Sequence, residues 1–282
     1  MSKPTGFSRQ NFNTLLVISA LVLVVSVCER GYLSTAMARP SAFVAAAVAP
    51  AADDWESTIR KFEEADKTNP PKPGGVVFTG SSSIVRWNTL AADMKPLEVV
   101  NRGFGGSEMS DVTHFAKRIV VAYRPRTVVL YAGDNDLAAG SPKTPETVAN
   151  DFKEFVQIVH ADLPDTWIYV ISIKPSKLRW NEWPKMQAAN RLMQDFIRTQ
   201  KRVQYIDVAS AMFDARGNLP ADLFVADGLH PTPKCYALWT SIIRPVLIER
   251  FGPGAKASQS HWVAPASRSR WRAPSAPTKN TA

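Results

Sequence analysis

A histidine and an aspartate three residues apart offer the clearest acid–base chemistry in this sequence. In Asp227-Gly228-Leu229-His230 the carboxylate can reach the imidazole Nδ1 across a turn and fix the tautomer of the ring. The other ring nitrogen could then accept a proton from a hydroxyl group. The remaining histidines suit this role less well, because His114 and His160 fall within predicted helices and His261 lies near the C-terminus.

A hydroxyl that could supply this proton stands in the serine run Gly80-Ser81-Ser82-Ser83, directly after the first predicted strand. A serine placed where a strand turns into a helix can expose its hydroxyl beside backbone N–H groups. That placement suits a nucleophile with an adjacent oxyanion donor. Turns of this kind are more often helix caps or phosphate-binding loops, so the run alone leaves its function open.

Two further loops follow predicted strands and carry glycine or amide groups. Gly103-Phe104-Gly105-Gly106-Ser107 lets a backbone N–H approach a ligand closely, although a tight turn explains it equally well. Gly133-Asp134-Asn135-Asp136 is of a composition common in turns, and its Asn135 amide could donate a hydrogen bond to a developing oxyanion.

Neither a cofactor nor a metal ion is predicted. The second glycine loop misses the G-x-G-x-x-G spacing of dinucleotide sites, because Glu108 stands where the last glycine belongs. Taken alone, Asp227 and His230 could equally be a metal half-site or a surface pair, but no second histidine is close enough in sequence to complete a metal site.

The elements that must position these loops alternate between strands and helices. Short, almost continuously apolar runs are typical of strands covered on both faces, and five such runs are present: Val76–Thr79, Leu97–Asn101, Thr127–Tyr131, Trp167–Ser172 and Val203–Asp207. Helices are predicted over Asp53–Thr68, after the N-cap Thr144, around Met186–Ile197, and after the N-cap Thr232, with a kink at Pro245. This pattern predicts a three-layer α/β/α sandwich around a parallel sheet, with reactive groups beyond the carboxyl ends of the strands.

Taken in chain order, the four loops resemble the motif blocks of the SGNH (GDSL) hydrolase superfamily, over roughly residues 76–251. The resemblance implies that Ser82 is the nucleophile, with Asp227 and His230 completing a catalytic triad. It also implies an oxyanion hole made by the N–H groups of Ser82 and Gly106 and the Asn135 amide. A flavodoxin-like sheet with strand order 2-1-3-4-5 is a further implication.

One position departs from that family's pattern. The residue before the nucleophile is usually aspartate in the family and is Ser81 here, which places three serines in a row. The choice of Ser82 therefore depends on alignment by Gly80, and Ser81 and Ser83 remain alternatives. Because that aspartate is not one of the catalytic trio, the departure leaves the expected chemistry intact.

The two ends of the chain predict export and a basic tail. Lys3 and Arg9 precede the apolar run Leu15–Cys28, and Ala36-Met37-Ala38 offers a cleavage site, so residues 1–38 are predicted to be a signal peptide. An uncleaved membrane anchor is the alternative. Residues 39–52 are predicted to be a linker, residues 53–251 the hydrolase domain, and residues 252–282 a disordered basic tail.

The charge and cysteine count exclude some classes of protein. The net charge is +9, but more than half of this excess comes from five basic residues of the tail, which contains no acidic residue. Nucleic acid is therefore not the expected partner, although a binder acting through the tail is a rival reading. Two cysteines, Cys28 and Cys235, exclude a disulfide framework.

The expected function is hydrolysis of a carboxylic ester outside the cytoplasm, with a short-chain or acetyl ester favoured and a small molecule, glycan or lipid carrying it. Trp87, Trp180 and Trp183 could line such a site or could be packing residues. The alternatives are a lysophospholipase or thioesterase with the same mechanism, and a non-catalytic binding module on the same fold. The oligomeric state is not predicted.

Overall fold

A sheet of five parallel strands organises the protein, whose computed structural model describes residues 52–253. The strands are β1 (Val76–Gly80), β2 (Val99–Gly103), β3 (Thr127–Tyr131), β4 (Trp167–Ile171) and β5 (Val203–Ile206). Their order is β2-β1-β3-β4-β5, and every neighbouring pair is parallel. The predicted fold class and strand order are confirmed.

Seven α-helices accompany these strands in the described part of the chain. They are α1 (Ala52–Thr68), α2 (Ser82–Val85), α3 (Leu90–Asp93), α4 (Met109–Ile119), α5 (Pro145–Asp162), α6 (Trp183–Ile197) and α7 (Pro233–Phe251). Thr144 and Thr232 cap α5 and α7 as predicted, each accepting a hydrogen bond from a backbone N–H of the first helical turn. Helix α7 continues past Pro245 to Phe251.

The core has two layers, one on each face of the sheet. Alternate residues of β3 show this division, since Val128 and Leu130 pack with α4, α5 and α6, while Val129 and Tyr131 pack with α7 and α2. Both faces of each central strand are buried. A strand that alternated polar and apolar residues would therefore bury polar side chains without hydrogen-bond partners. The continuous apolar runs of the sequence therefore follow from burial on two sides.

The register of the sheet brings the glycine and serine loops to one edge. Gly80 at the end of β1 is paired with Gly103 at the end of β2 and with Tyr131 at the end of β3. The segments that follow these strands consequently start at the same level. This is the carboxyl edge of the sheet, where open α/β folds bind their ligands.

The second strand begins two residues later than predicted. Leu97 is apolar and buried, but it belongs to a turn in which its N–H donates to the carbonyl of Met94. The hydrophobic run therefore predicted burial correctly but placed the start of the strand wrongly. A buried residue of a turn and a buried residue of a strand are both apolar, so the sequence does not distinguish them.

Some predictions fall outside the described residues. The signal peptide at residues 1–38, the linker up to residue 51 and the basic tail from residue 254 onward belong to this group. Within residues 52–253, no helix combines the length and apolar character needed to cross a lipid bilayer.

Gly80 is the position at which the fold depends most directly on the absence of a side chain. Its φ is +130°, and a Cβ there would lie 1.8 Å from the carbonyl oxygen of Tyr131. We expect Gly80→Ala to lower the free energy of unfolding by at least about 2 kcal/mol more than Gly217→Ala does. Gly217 is a matched control, since its φ is +76° and its Cβ would meet nothing within 4 Å. Urea denaturation of both variants measures the difference, and equal losses would show that the overlap at Gly80 is relieved.

Candidate active site

Ser82 is the member of the serine run that is accessible. Ser81 and Ser83 are 0 % and 1 % exposed, whereas Ser82 is partly exposed at the first position of α2. Strand β1 ends at Gly80, and the N–H of Ser81 donates to the carbonyl of Tyr131, which turns the chain away from the sheet. The turn therefore buries the outer two hydroxyl groups and leaves the middle one facing the loops of the carboxyl edge.

The Asp227 carboxylate holds both the backbone and the ring of His230. Its Oδ1 accepts hydrogen bonds from the backbone N–H groups of Leu229 and His230, at 2.8 and 2.9 Å. Its Oδ2 lies 2.6 Å from His230 Nδ1. One side chain thus fixes the turn and the imidazole together. The contact with the ring agrees with the prediction from the spacing of the two residues, and the two hydrogen bonds from the backbone were not predicted.

His230 and Ser82 meet although 148 residues separate them. The distance between His230 Nε2 and Ser82 Oγ is 2.8 Å. With Nδ1 bound to the carboxylate, the tautomer that carries its proton on Nδ1 leaves Nε2 as the acceptor for the serine proton. The structure therefore brings together the aspartate, histidine and serine named from the sequence.

The Asp227 carboxylate is kept ionised by these contacts. Burial acts to raise its pKa, but the hydrogen bonds from the His230 ring and from the N–H groups of His230 and Leu229 outweigh burial and lower the pKa to about 2. Since the folded pKa lies below the unfolded value, the stabilisation is present above about pH 4 and is lost as the pH falls towards 2. Loss of activity between neutral pH and pH 4 would therefore report a group other than Asp227.

The second glycine loop lies beside the serine. A Cβ on Gly105 would be 3.8 Å from the Ser82 Cβ, and Gly106 adopts a φ of +82° with the Trp55 ring 3.4 Å from where its Cβ would be. Within residues 52–253, neither the N–H of Ser82 nor that of Gly106 donates to a protein acceptor. Two donors of the predicted oxyanion hole are thus unengaged in the protein itself.

Helix α1 supplies the tryptophan that covers this loop. Arg118 of α4 binds α1 through ion pairs with Glu56 at 2.6 Å and Glu63 at 2.7 Å. Trp55 packs edge to face on Phe104, with ring centroids 5.5 Å apart. The sequence indicated the helix, but nothing in its periodicity indicated that Trp55 would contact the glycine loop.

Asn135, the third predicted donor, has both ends of its amide engaged. Its Nδ2 donates to the carbonyl of Ser107 at 3.0 Å, and its Oδ1 accepts from Nη2 of Arg179 at 2.9 Å. Arg179 lies in the irregular segment between β4 and α6. Sequence reasoning missed it, because an arginine in a loop without periodicity carries no signal of the group it will contact.

Behind Asn135 lies a buried ion pair that was also missed. Asp134 and Lys174 are 3 % and 1 % exposed, and Lys174 Nζ is 3.4 Å from Asp134 Oδ2. Burial alone would raise the pKa of Asp134, but the charges of Lys174 and Arg179 hold that pKa below its ordinary value. Lys174 lies in the segment that follows β4, and it could have been noticed in the sequence as a charged residue close to an apolar run.

The described part of the chain contains no cluster of three or more side chains suited to a metal ion. The groups at the site are a hydroxyl, an imidazole, carboxylates and hydrogen-bond donors. Such a set can carry out nucleophilic and general acid–base chemistry.

Structures of known proteins share this fold. A Streptococcus pneumonia protein is 20 % identical with a TM-score of 0.62, and the match covers 69 % of this chain and 93 % of that one. A GDSL-like lipase from Bacteroides thetaiotaomicron is 16 % identical with a TM-score of 0.60, covering 69 % and 99 %. A carbohydrate esterase family 3 protein from Talaromyces cellulolyticus is 18 % identical with a TM-score of 0.51, covering 62 % and 97 %. At these identities the likeness establishes the fold.

The family is established by sequence. No curated protein matches the chain. A model of the GDSL-like Lipase/Acylhydrolase family matches residues 69–238, which include β1 to β5, the serine loop, the glycine loop, Asn135 and the Asp227–His230 turn. This chain belongs to the GDSL-like lipase/acylhydrolase family.

Proposed function

We propose that the protein hydrolyses a carboxylic ester through nucleophilic attack by Ser82. The observation that supports this most strongly is the continuous chain of hydrogen bonds from Asp227 through His230 to Ser82, with distances of 2.6 and 2.8 Å. A nucleophile bound to a base that is itself oriented by a third group is the arrangement that activates serine hydrolases. Membership of an acylhydrolase family is consistent with the same chemistry.

The reaction has two halves in this proposal. Ser82 Oγ attacks the ester carbonyl while its proton passes to His230 Nε2, and the tetrahedral intermediate then expels the alcohol, which takes that proton. Water next attacks the acyl-serine, gives a proton to the same nitrogen, and displaces Ser82 Oγ, which recovers the proton as the acid leaves. Asp227 stabilises the imidazolium in both halves and holds the ring in position.

The negative charge on the carbonyl oxygen needs donors that are already in place. The N–H groups of Ser82 and Gly106 and the second hydrogen of the Asn135 amide are the donors we assign. Pre-arranged donors of this kind stabilise the intermediate without reorganisation, and each typically contributes on the order of 10²–10³ in rate.

Short-chain or acetyl esters remain the favoured substrates, and the surroundings of the site also support a second candidate. Four large hydrophobic side chains are exposed in residues 52–253: Val85 (41 %), Leu178 (63 %), Trp180 (46 %) and Val225 (39 %). Val225 donates its N–H to the carbonyl of His230, at 2.9 Å. Leu178 donates to the carbonyl of Gly228, at 3.0 Å. An apolar border at the site favours a longer acyl chain, as in a lysophospholipid or thioester.

The three tryptophans named in the sequence analysis as either site-lining or packing residues have different surroundings. Trp87 is 1 % exposed and belongs to the core. Trp180 is exposed and packs edge to face on Phe213. Trp183 lines a groove of about 360 Å³ between α6 and the segment after β5, and Phe213 lines the same groove. The groove also presents Gln187, Arg191 and Asp207, but none of its lining residues belongs to the triad or to the assigned oxyanion hole.

The first experiment is hydrolysis of p-nitrophenyl acetate, butyrate and octanoate by the full-length protein and by Ser82→Ala. We expect the wild-type protein to be active and Ser82→Ala to lose nearly all activity, because among residues 52–253 no other hydroxyl hydrogen-bonds to the His230 ring. The ratio of kcat/KM across the series separates acetyl from long-acyl preference.

Ser83→Ala is the matched control for this experiment. Its hydroxyl is buried without a hydrogen-bond partner among the described residues, so its loss should leave the rate near the wild-type value. Activity retained in Ser82→Ala would exclude the proposed nucleophile. An inactive wild-type protein that still bound an ester saturably would favour the binding module.

A second variant tests the orientation of the imidazole. Asp227→Asn keeps an oxygen that can accept from the N–H groups of Leu229 and His230, so the turn should survive. The amide nitrogen would donate to His230 Nδ1 and place the ring proton on Nε2, facing Ser82. We expect kcat to fall by roughly 10³–10⁴.

The matched control is Asp222→Asn, which changes an exposed carboxylate that forms an ion pair with Lys234 in the first turn of α7. Its kcat should remain near the wild-type value. If Asp227→Asn lost no more activity than Asp222→Asn, the carboxylate would have no part in directing the base.

A further inference from the structure

We propose that Arg179 is a positioning residue of the oxyanion hole, which fixes the Asn135 amide so that one N–H faces the reacting carbonyl. The inference rests on the proposed function and extends it to a residue outside the four motif loops. It follows from the two hydrogen bonds that engage the Asn135 amide, one from its nitrogen to the Ser107 carbonyl and one to its oxygen from Arg179.

The amide of Asn135 can take only one orientation among its neighbours. The Ser107 carbonyl accepts from Nδ2, and the Arg179 guanidinium donates to Oδ1. Turning the amide over would set oxygen against the carbonyl and NH2 against the guanidinium, so both hydrogen bonds would be replaced by repulsive contacts. With the amide fixed, a single hydrogen of Nδ2 remains available to a substrate.

Arg179 is itself held in place by Asp134, which binds its guanidinium, and by Ser176, which binds its backbone N–H. Its Nη1 donates to the carbonyl of Asp134 at 2.7 Å and lies 3.5 Å from the Asp134 carboxylate. Its backbone N–H donates to Ser176 Oγ at 3.2 Å, and its side chain is 14 % exposed. The planar fork of the guanidinium therefore spans two consecutive residues, which lysine could not reproduce.

The charges behind Asn135 also favour an oxyanion. Lys174 Nζ and Arg179 Nη1 both lie near Asp134 Oδ2, at 3.4 and 3.5 Å, so two basic side chains share one buried carboxylate. Arg179 withdraws electron density from the Asn135 oxygen through its hydrogen bond, which makes the amide N–H a stronger donor. Both effects grow as negative charge develops on the substrate.

This network accounts for the departure at Ser81. The Ser81 hydroxyl is fully buried and lies 3.5 Å from Asp134 Oδ1. An aspartate at position 81 would place a second carboxylate against the first, at a cost that burial makes large. A serine at position 81 is therefore compatible with an aspartate at position 134. In this protein the carboxylate next to the serine loop belongs to Asp134, which lies in the loop after β3.

A double-mutant cycle on the full-length protein tests the proposal. The kcat and KM for p-nitrophenyl acetate are measured for the wild type, Arg179→Ala, Asn135→Ala and the double variant. We expect Arg179→Ala to lower kcat by about 10- to 100-fold with little change in KM, because it weakens a donor used mainly in the transition state. In the Asn135→Ala background the same change should have little further effect.

Added guanidinium ion separates positioning from a purely structural role. At a concentration that leaves the protein folded, and against sodium chloride of equal ionic strength, it should restore part of the rate of Arg179→Ala and none of the rate of the double variant. Arg179→Lys serves where Arg179→Ala fails to fold, since it keeps a charge beside Asp134, and its loss of kcat should likewise vanish without Asn135. Arg198→Ala, which removes a guanidinium from an exposed pair with Asp195, is the control and should match the wild type.

Two results would overturn the inference. One is an equal proportional loss from the Arg179 change with and without Asn135, and the other is a wild-type kcat in Arg179→Ala. The proposed function fails separately, by a wild-type rate that is no higher than the rate of Ser82→Ala.

Discussion

The packing of α7 against α2 is the constraint on which the site depends, because it joins the first strand–helix turn to the last and brings Ser82 to His230. These two residues are 148 positions apart, and neither element alone fixes the distance of 2.8 Å between His230 Nε2 and Ser82 Oγ. The Tyr236 hydroxyl of α7 donates to the carbonyl of Ser83 in α2 at 2.9 Å. Trp87 stacks on Tyr236 with ring centroids 5.1 Å apart and meets Trp239 edge to face. These aromatic contacts bury the joint between α2 and α7 and so hold serine and histidine in register.

The polar groups around Ser82 and His230 form two systems with different environments. Asp227 is part-exposed and is stabilised as a carboxylate by three hydrogen bonds, which is why its pKa is lowered to about 2. Asp134 is buried and is stabilised by the charges of Lys174 and Arg179. The first system would take up positive charge on the imidazole, and the second would face negative charge on the carbonyl oxygen. A reaction that separates charge between histidine and substrate is served by this division.

The fold could be predicted from the sequence to the extent that burial determines composition. Strands covered on both faces are apolar throughout, so β1, β3 and β4 were located closely, and the caps Thr144 and Thr232 marked two helices. The order of the strands could not be read from these runs, because parallel strands of similar composition carry no record of their neighbours. It came from the resemblance to the SGNH hydrolases, and the observed order agrees with it.

The candidate site could be predicted only in part for a related reason. The spacing of Asp227 and His230 is local, so sequence indicated their contact, and the structure shows it. The sequence alone does not distinguish three consecutive serines, because they are the same residue type. The conformation of the turn after Gly80 determines which of them is exposed. Arg179 contacts Asn135 only because the irregular segment after β4 folds back over the loop after β3. Contacts of this kind depend on loop conformation, for which the sequence has no periodic signal.

The most direct measurement of the central claim is to label the protein with a fluorophosphonate and locate the adduct by tandem mass spectrometry. We expect a single adduct on Ser82, with none on Ser81 or Ser83, and no labelling once His230 is replaced by alanine. An adduct on a different serine, or unchanged labelling without His230, would contradict it.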